Sequence, residues 1–314
     1  MTSRLLSRRL AIAVCIAALF AVSPLPGQER PHRLVLLGTG GGPAVKASRA
    51  QPANAVVVNG AVYVVDAGDG VARQMALAGL PVTALRAVFI THHHSDHNAD
   101  YGTLLLRAWA SGLRRPVATY GPPPLEQITR SYLEYMDWDV RLRVEDEGRP
   151  VLGELIQAHD IAGDGVVYRD ENVVVTAAEV PHGAAAPSYA YRIDTAGGSV
   201  VFSGDTTMSD ALVELAAGAD VLVHEIVSID GAAAIVERLD PGNEALLRHI
   251  VEAHTTPGDV GRVAARAGVE RLVLTHFVPS GLPEFDRPEL WLEAVRPHFG
   301  GEVIIGRDLL EIAF

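Results

Sequence analysis

The sequence predicts an α/β fold of two mixed sheets flanked by helices, and three observations predict it. From about residue 30 onward, short β-branched runs alternate with stretches of helical character, and no long linker interrupts them. Many of the strand runs adjoin as hairpins, which favours two helix-covered sheets over one purely parallel sheet. A chain of 314 residues that is 48% hydrophobic can also bury a large core.

Taken in order, "RLVLLG" (33 to 38) is the first apolar strand, and "NAVVVNG" (54 to 60) and "AVYVVDAG" (61 to 68) follow as adjoining strands. Helical character covers 69 to 79, "LRAVFI" (85 to 90) is a buried strand, and helices are predicted over 99 to 111 and 123 to 137. The strands "NVVVTAAEV" (172 to 180), "SYAYRI" (188 to 193) and "SVVFSG" (199 to 204) come next, then a helix over 208 to 217 and the strand "VLVHEI" (221 to 226). Helices over 243 to 253 and 257 to 267 lead to "RLVLTHF" (271 to 277), a helix over 288 to 296, and the strands "EVIIG" (302 to 306) and "LLEIAF" (309 to 314). No short-period repeat is present. The Gly-rich "LLGTGGGP" follows a strand, but Pro43 stands where a dinucleotide fingerprint needs its third glycine and no Gly-Lys-Ser/Thr follows. It reads as a tight turn.

Arg4, Arg8 and Arg9 precede the apolar run "LAIAVCIAALFAV" (10 to 22), which ends at Ser23 and Pro24. This is the pattern of a secretory signal peptide over about 1 to 28, short for a permanent anchor, with an uncleaved membrane tether as the alternative, followed by one domain over 29 to 314. The expected location is periplasmic or secreted. The only cysteine, Cys15, would leave with that segment, so disulfides and thiol catalysis are excluded and any metal site must use His, Asp and Glu. The formal charge is −12 and Lys46 is the sole lysine, a balance that does not advertise a nucleic-acid surface.

The chemistry concentrates in "FITHHHSDHNAD" (89 to 100). In an extended turn His92 and His94 point one way and His93 the other, while Asp96 and His97 face the same hollow as the chain enters a helix. Four further strand runs end on candidate groups: His182, Asp205, the pair His224 and Glu225, and His276. The carboxyl ends of strands in α/β sheets are where ligand sites form. So many histidines and carboxylates brought together call for a divalent cation.

H-x-H-x-D-H at 92 to 97, then His182, "SGDT" with Asp205 and "LTHF" with His276, resemble the metallo-β-lactamase superfamily. The resemblance runs from "LLGTGGG" through "VVDAGDG" to the C-terminal region and implies an αββα sandwich with two divalent metal ions, usually Zn2+, between the sheet edges. It implies His92, His94 and His182 on one metal, Asp96, His97 and His276 on the other, and Asp205 as the bridge. Asp66 in "VVDAGDG" either orients the turn as an outer acceptor or simply ends a strand.

The aspartate of "SGDT" resembles the ester-cleaving branches rather than true β-lactamases. "ADVLVHEI" and "EAHTTPGDVGRVAARAGVERLVLTHF" are similar to ribonuclease Z, and that likeness makes Glu225 and His254 a proton-delivering pair, with Asp96 the third catalytic candidate. Residues 121 to 181, however, hold five arginines against thirteen acidic residues, a segment that repels a polyanion. The expectation is therefore an exported hydrolase cleaving a small sulfate or phosphate ester, arylsulfatase-like, by attack of metal-bound hydroxide. It has a small-molecule partner, no nucleic acid and no stable membrane anchor. A β-lactamase or lactonase, a ribonuclease Z-like phosphodiesterase and a non-catalytic metal-binding scaffold are the alternatives. "SYLEYMDWDVRLR" (131 to 143) is either an aromatic wall over the site or a helix packed on the core.

Overall fold

The computed structural model describes residues 32–314; the apolar N-terminal run and Cys15 lie outside them. Two seven-stranded sheets face each other. The first contains β1 (Arg33–Gly38), β2 (Ala53–Val58), β3 (Ala61–Val65), β4 (Leu85–Phe89), β5 (Val117–Gly121) and β6 (Ile156–Asp160). The second contains β7 (Gly165–Arg169), β8 (Val173–Val180), β9 (Ser188–Thr195), β10 (Ser199–Phe202), β11 (Val221–Val227), β12 (Arg271–Val278) and β13 (Glu302–Ile305). The last strand, β14 (Leu310–Ala313), crosses back to pair with β1.

Each sheet is mixed in the same way. The first is antiparallel from β14 to β3 and parallel from β3 to β6. The second is antiparallel from β7 to β10 and parallel from β10 to β13. In each half a meander therefore gives way to crossover units, and the crossovers supply the helices that cover the outer faces.

The helices are α1 (Val71–Leu77), α2 (Ser95–Asn98), α3 (Tyr101–Ala110), α4 (Leu125–Glu147), α5 (Asp210–Leu215), α6 (Ile229–Leu239), α7 (Glu244–Ala253), α8 (Pro257–Ala267) and α9 (Pro288–Val295). Met75, Leu104 and Leu105 of α1 and α3 cover the first sheet, while Leu212, Val260, Val263 and Trp291 of α5, α8 and α9 cover the second. Among the described residues no helix is long and apolar enough to cross a membrane.

Between the sheets, alternate residues of both interdigitate, among them Tyr63, Phe89, Tyr191, Phe202 and Val223. The Phe89 ring lies 5.6 Å from Tyr191 of the opposite sheet and 5.8 Å from Tyr120 and Tyr168. Phe89→Ala would leave a cavity that rings anchored in two sheets cannot collapse into. Urea denaturation should show a loss of about 3–5 kcal/mol, and a loss under about 1 kcal/mol would mean this layer is not closely packed.

The strand and helix predictions miss particular elements for physical reasons. β6 and β7 are short edge strands with half-exposed, partly polar sequences, "IQAHD" and "GVVYR", which give no sustained apolar run. α6 begins "IDG", and Gly231 inside its first turn masks it. α4 runs to Glu147 rather than 137, its second half laced by pairs of Arg141 with Asp137 and of Arg143 with Asp139 and Glu147.

Candidate metal centre

The parallel strands β4, β10, β11 and β12 carry the site residues at or just beyond their carboxyl ends. Asp66 follows β3 in a left-handed conformation, φ 63°. Its carboxylate accepts the Thr91 N–H at 2.8 Å and the Thr91 hydroxyl at 3.0 Å, and lies 2.8 Å from His97 Nδ1. One buried carboxylate thus pins both the start of the histidine turn and the ring at its end. An outer acceptor of this kind commonly contributes 10–100-fold to metal affinity. Asp66→Asn should weaken divalent-metal binding by roughly that factor in chelator competition, whereas unchanged affinity would reduce Asp66 to a strand-end residue.

His93 turns away from the centre: its Nε2 lies 2.7 Å from the Pro122 carbonyl and its Nδ1 3.0 Å from Asn98 Nδ2. Asp96 and His97 sit in α2, which follows directly. His182 lies just past β8 with its Nδ1 2.8 Å from the Ala253 carbonyl. His276 occupies a β-bulge, because Glu225 pairs with Thr275 and Ile226 already with Phe277. At φ 47° it is forced out of the ladder and aimed at the centre.

The seven proposed ligands come together. His94 Nδ1 lies 3.0 Å from His92 Nε2 and 3.1 Å from His182 Nε2. His276 Nε2 lies 3.4 Å from Asp96 Oδ2, and His97 Nε2 lies 3.7 Å from the same oxygen. Asp205 Oδ2 stands between the groups, 3.2 Å from His97 Nε2 and His276 Nε2 and 3.8 Å from His92 Nε2 and His182 Nε2. Adjacent ligands of a tetrahedral zinc with bonds of 2.0–2.1 Å stand about 3.3–3.4 Å apart, so this spacing suits a cation. His97 Nε2, His276 Nε2 and Asp205 Oδ1 are buried without any hydrogen-bond partner, a costly state that a cation would relieve. The residues present therefore fit divalent metal.

The electrostatics divide the histidines into two groups. Burial and the neighbouring His97 push His92 well below the ordinary imidazole range, and burial with His182 pushes His94 down to about 4. Burial opposes ionisation of Asp205, yet His276 and His97 outweigh it and hold the carboxyl well below its usual range. His92 and His94 are thus neutral beside an ionised carboxylate, as metal binding requires, whereas at His97 burial is outweighed by Asp205 and then Asp66, which raise it well above the ordinary imidazole range, so a metal there would have to displace its proton.

Beside this cluster, Glu225 Oε1 accepts the backbone N–H groups of Thr255 at 2.9 Å and Thr206 at 3.3 Å. That clamp leaves Glu225 Oε2 to His254 Nδ1, 3.3 Å away. Burial works against a charge on His254, but Glu225 and then Asp205 prevail and raise it to about 9. His254 also lies within ligand reach of Asp205 and His276. His224, which precedes Glu225 in the sequence, is buried with its Nδ1 directed at the Glu225 carbonyl, 2.7 Å away.

Two features escape the sequence reading. The Gly-rich turn is part of the site: the Gly42 N–H donates to Asp96 Oδ2 at 2.9 Å, and a Cβ on Gly41 would stand 2.7 Å from His276 Nδ1. His249 of α7 brings its ring to 5.8 Å from His94, and nothing in its flanking sequence marks it. The aromatic wall is not formed. Tyr135 and Trp138 of α4 are 80% and 72% exposed, and no residue of α4 lines the pocket over the cluster. Instead α4 packs through Leu125, Thr129 and Val140.

A family profile described as "Beta-lactamase superfamily domain" matches residues 62–277. Ribonuclease Z of Mycobacterium marinum is 32% identical over 279 residues, covering 88% of this chain and 96% of that protein. Among solved structures, the metallo-beta-lactamase fold protein YhfI from Bacillus subtilis superposes with a TM-score of 0.65 at 21% identity, covering 91% of this chain and 100% of YhfI. Human tRNase Z, short form, gives 0.64 at 21% identity, covering 90% and 98%. These two share the fold. The relatives correct one expectation: a small-molecule ester partner with no nucleic acid is overturned by near full-length likeness to enzymes named for cleaving RNA. Net acidity misled because it averages over a whole surface, whereas recognition depends on the few groups around the reacting bond.

Proposed function

Because this chain belongs to the β-lactamase superfamily, in its ribonuclease Z branch, and is a metal-dependent hydrolase, we propose that it cleaves phosphodiester bonds of RNA. The observation that carries the reading is the alignment with ribonuclease Z along 96% of the relative's length. The clamped Glu225–His254 pair beside the cluster supports it, since a ribose alkoxide is a poor leaving group and needs a positioned acid.

In this reading His92, His94 and His182 would hold one divalent ion and Asp96, His97 and His276 a second, with Asp205 placed between the two groups; zinc suits these nitrogen and oxygen donors. Ions bound there would supply Lewis acidity and lower the pKa of a water. The chain's own residues do the rest. Asp66 and Gly42 orient His97 and Asp96, and the buried surroundings exclude bulk water. Glu225 holds a proton on His254 and aims it toward the departing oxygen.

The test is cleavage of unstructured RNA oligonucleotides and of a precursor tRNA by zinc-loaded protein, repeated after chelator dialysis. Cleavage should disappear with the metal and return on adding zinc. Zinc-saturated protein that leaves every RNA intact would refute the reading.

A further inference from the structure

A cavity of about 330 Å³ opens directly onto His94, Asp205 and His254. One wall is aliphatic: Ile235 and Leu239 from α6, Leu246 and Ile250 from α7. Opposite stand Pro43 and Ala44 of the Gly-rich turn, with Lys46, the only lysine in the chain, at the end of that wall. Its Nζ donates to the carbonyls of Gly42 and Ala44, both at 2.9 Å, which leaves one of its three donors free for a ligand oxygen. Leu239 is 61% exposed at the lip of this wall. A slot with apolar sides, an imidazole edge from His249 and one ammonium matches a flat heteroaromatic ring joined to a phosphate. Lys46 is the only lysine or arginine that lines the cavity, so within it a ligand meets one fixed cation, enough for one phosphate but not for tracking an extended backbone.

We propose that this cavity is a nucleoside subsite, which takes the base and ribose next to the scissile phosphodiester while Lys46 meets that nucleotide's phosphate. The proposal rests on the RNA-cleaving reading and specifies how substrate is gripped: by one nucleotide at the centre, with little help from the remainder of the polymer. Single-stranded ends then suit the site better than folded RNA bodies.

Calorimetric titration of the purified chain with adenosine 5′-monophosphate and with ribose 5-phosphate tests it, because the two share a phosphate and differ in the base. The nucleotide should bind about tenfold more tightly or better. Leu239→Ala, at an exposed position where folding is not at stake, should reduce that preference severalfold, and Leu246→Trp, which fills the slot, should erase it. Lys46→Ala should weaken both ligands alike. Equal affinity of the wild-type chain for both ligands, or a preference untouched by both leucine variants, overturns the subsite. RNA cleavage by the wild-type enzyme is scored separately. A base preference without cleavage keeps the subsite and rejects the RNA-cleaving reading, whereas cleavage without a base preference rejects the subsite alone.

Discussion

Asp205→Ala should yield a folded protein that retains less metal and turns over phosphodiesters at least about 10³-fold more slowly. The size follows from its position: its Oδ2 lies within 3.8 Å of nitrogens from both proposed ligand groups, so its loss uncouples the pair. Lewis-acid stabilisation is worth several kcal/mol, and each 1.36 kcal/mol is about tenfold in rate. Elemental analysis after gel filtration, alongside initial rates, makes the check. Metal content and turnover both equal to wild type would remove Asp205 from the centre and with it the proposed ligand assignment. Circular dichroism guards against misfolding, since a buried carboxylate facing several imidazoles also contributes to the apo fold.

Glu225→Gln and His254→Asn form the second prediction. Both variants should keep their metal yet slow RNA cleavage by about 10²–10⁴-fold, the usual contribution of general-acid catalysis. The diagnostic is the leaving group. A p-nitrophenyl phosphodiester departs as a stable phenolate and needs little protonation, so its hydrolysis should fall far less than that of RNA. Equal losses on both substrates would assign the pair a structural task. Glu225→Gln is the more informative of the two: an amide in place of the carboxylate keeps an oxygen for the Thr206 and Thr255 N–H groups but removes the charge that holds a proton on His254.

The legible parts of this molecule were those written locally. The apolar runs of β1 to β4 and β8 to β12, and the proximity of His92, His94, Asp96 and His97, follow from side-chain alternation and spacing within a few residues. His182, Asp205 and His276 were reachable because each closes a strand run, and the resemblance supplied their order. What stayed hidden depends on distant partners. The edge strand β6 is ordered by pairing with β5 rather than by its own sequence. Gly41 matters because His276, far along the chain, approaches it, and His249 matters because α7 leans over His94. The substrate class went astray for the same reason: composition reports on the whole surface, and the pocket occupies a small share of it.

The ligand set is divided between the two leaves of the sandwich. Asp66 and the turn 91–97 hang from the first sheet, whereas His182, Asp205 and His276 hang from the second. Neither leaf alone possesses a complete coordination sphere. A cation seated between them would act as a rivet, binding when the leaves are shut and stabilising the folded state by RT ln(1 + [metal]/Kd). Metal supply and conformational stability would then be linked in this protein, the concentration of a divalent cation setting how firmly the β-sandwich is fastened.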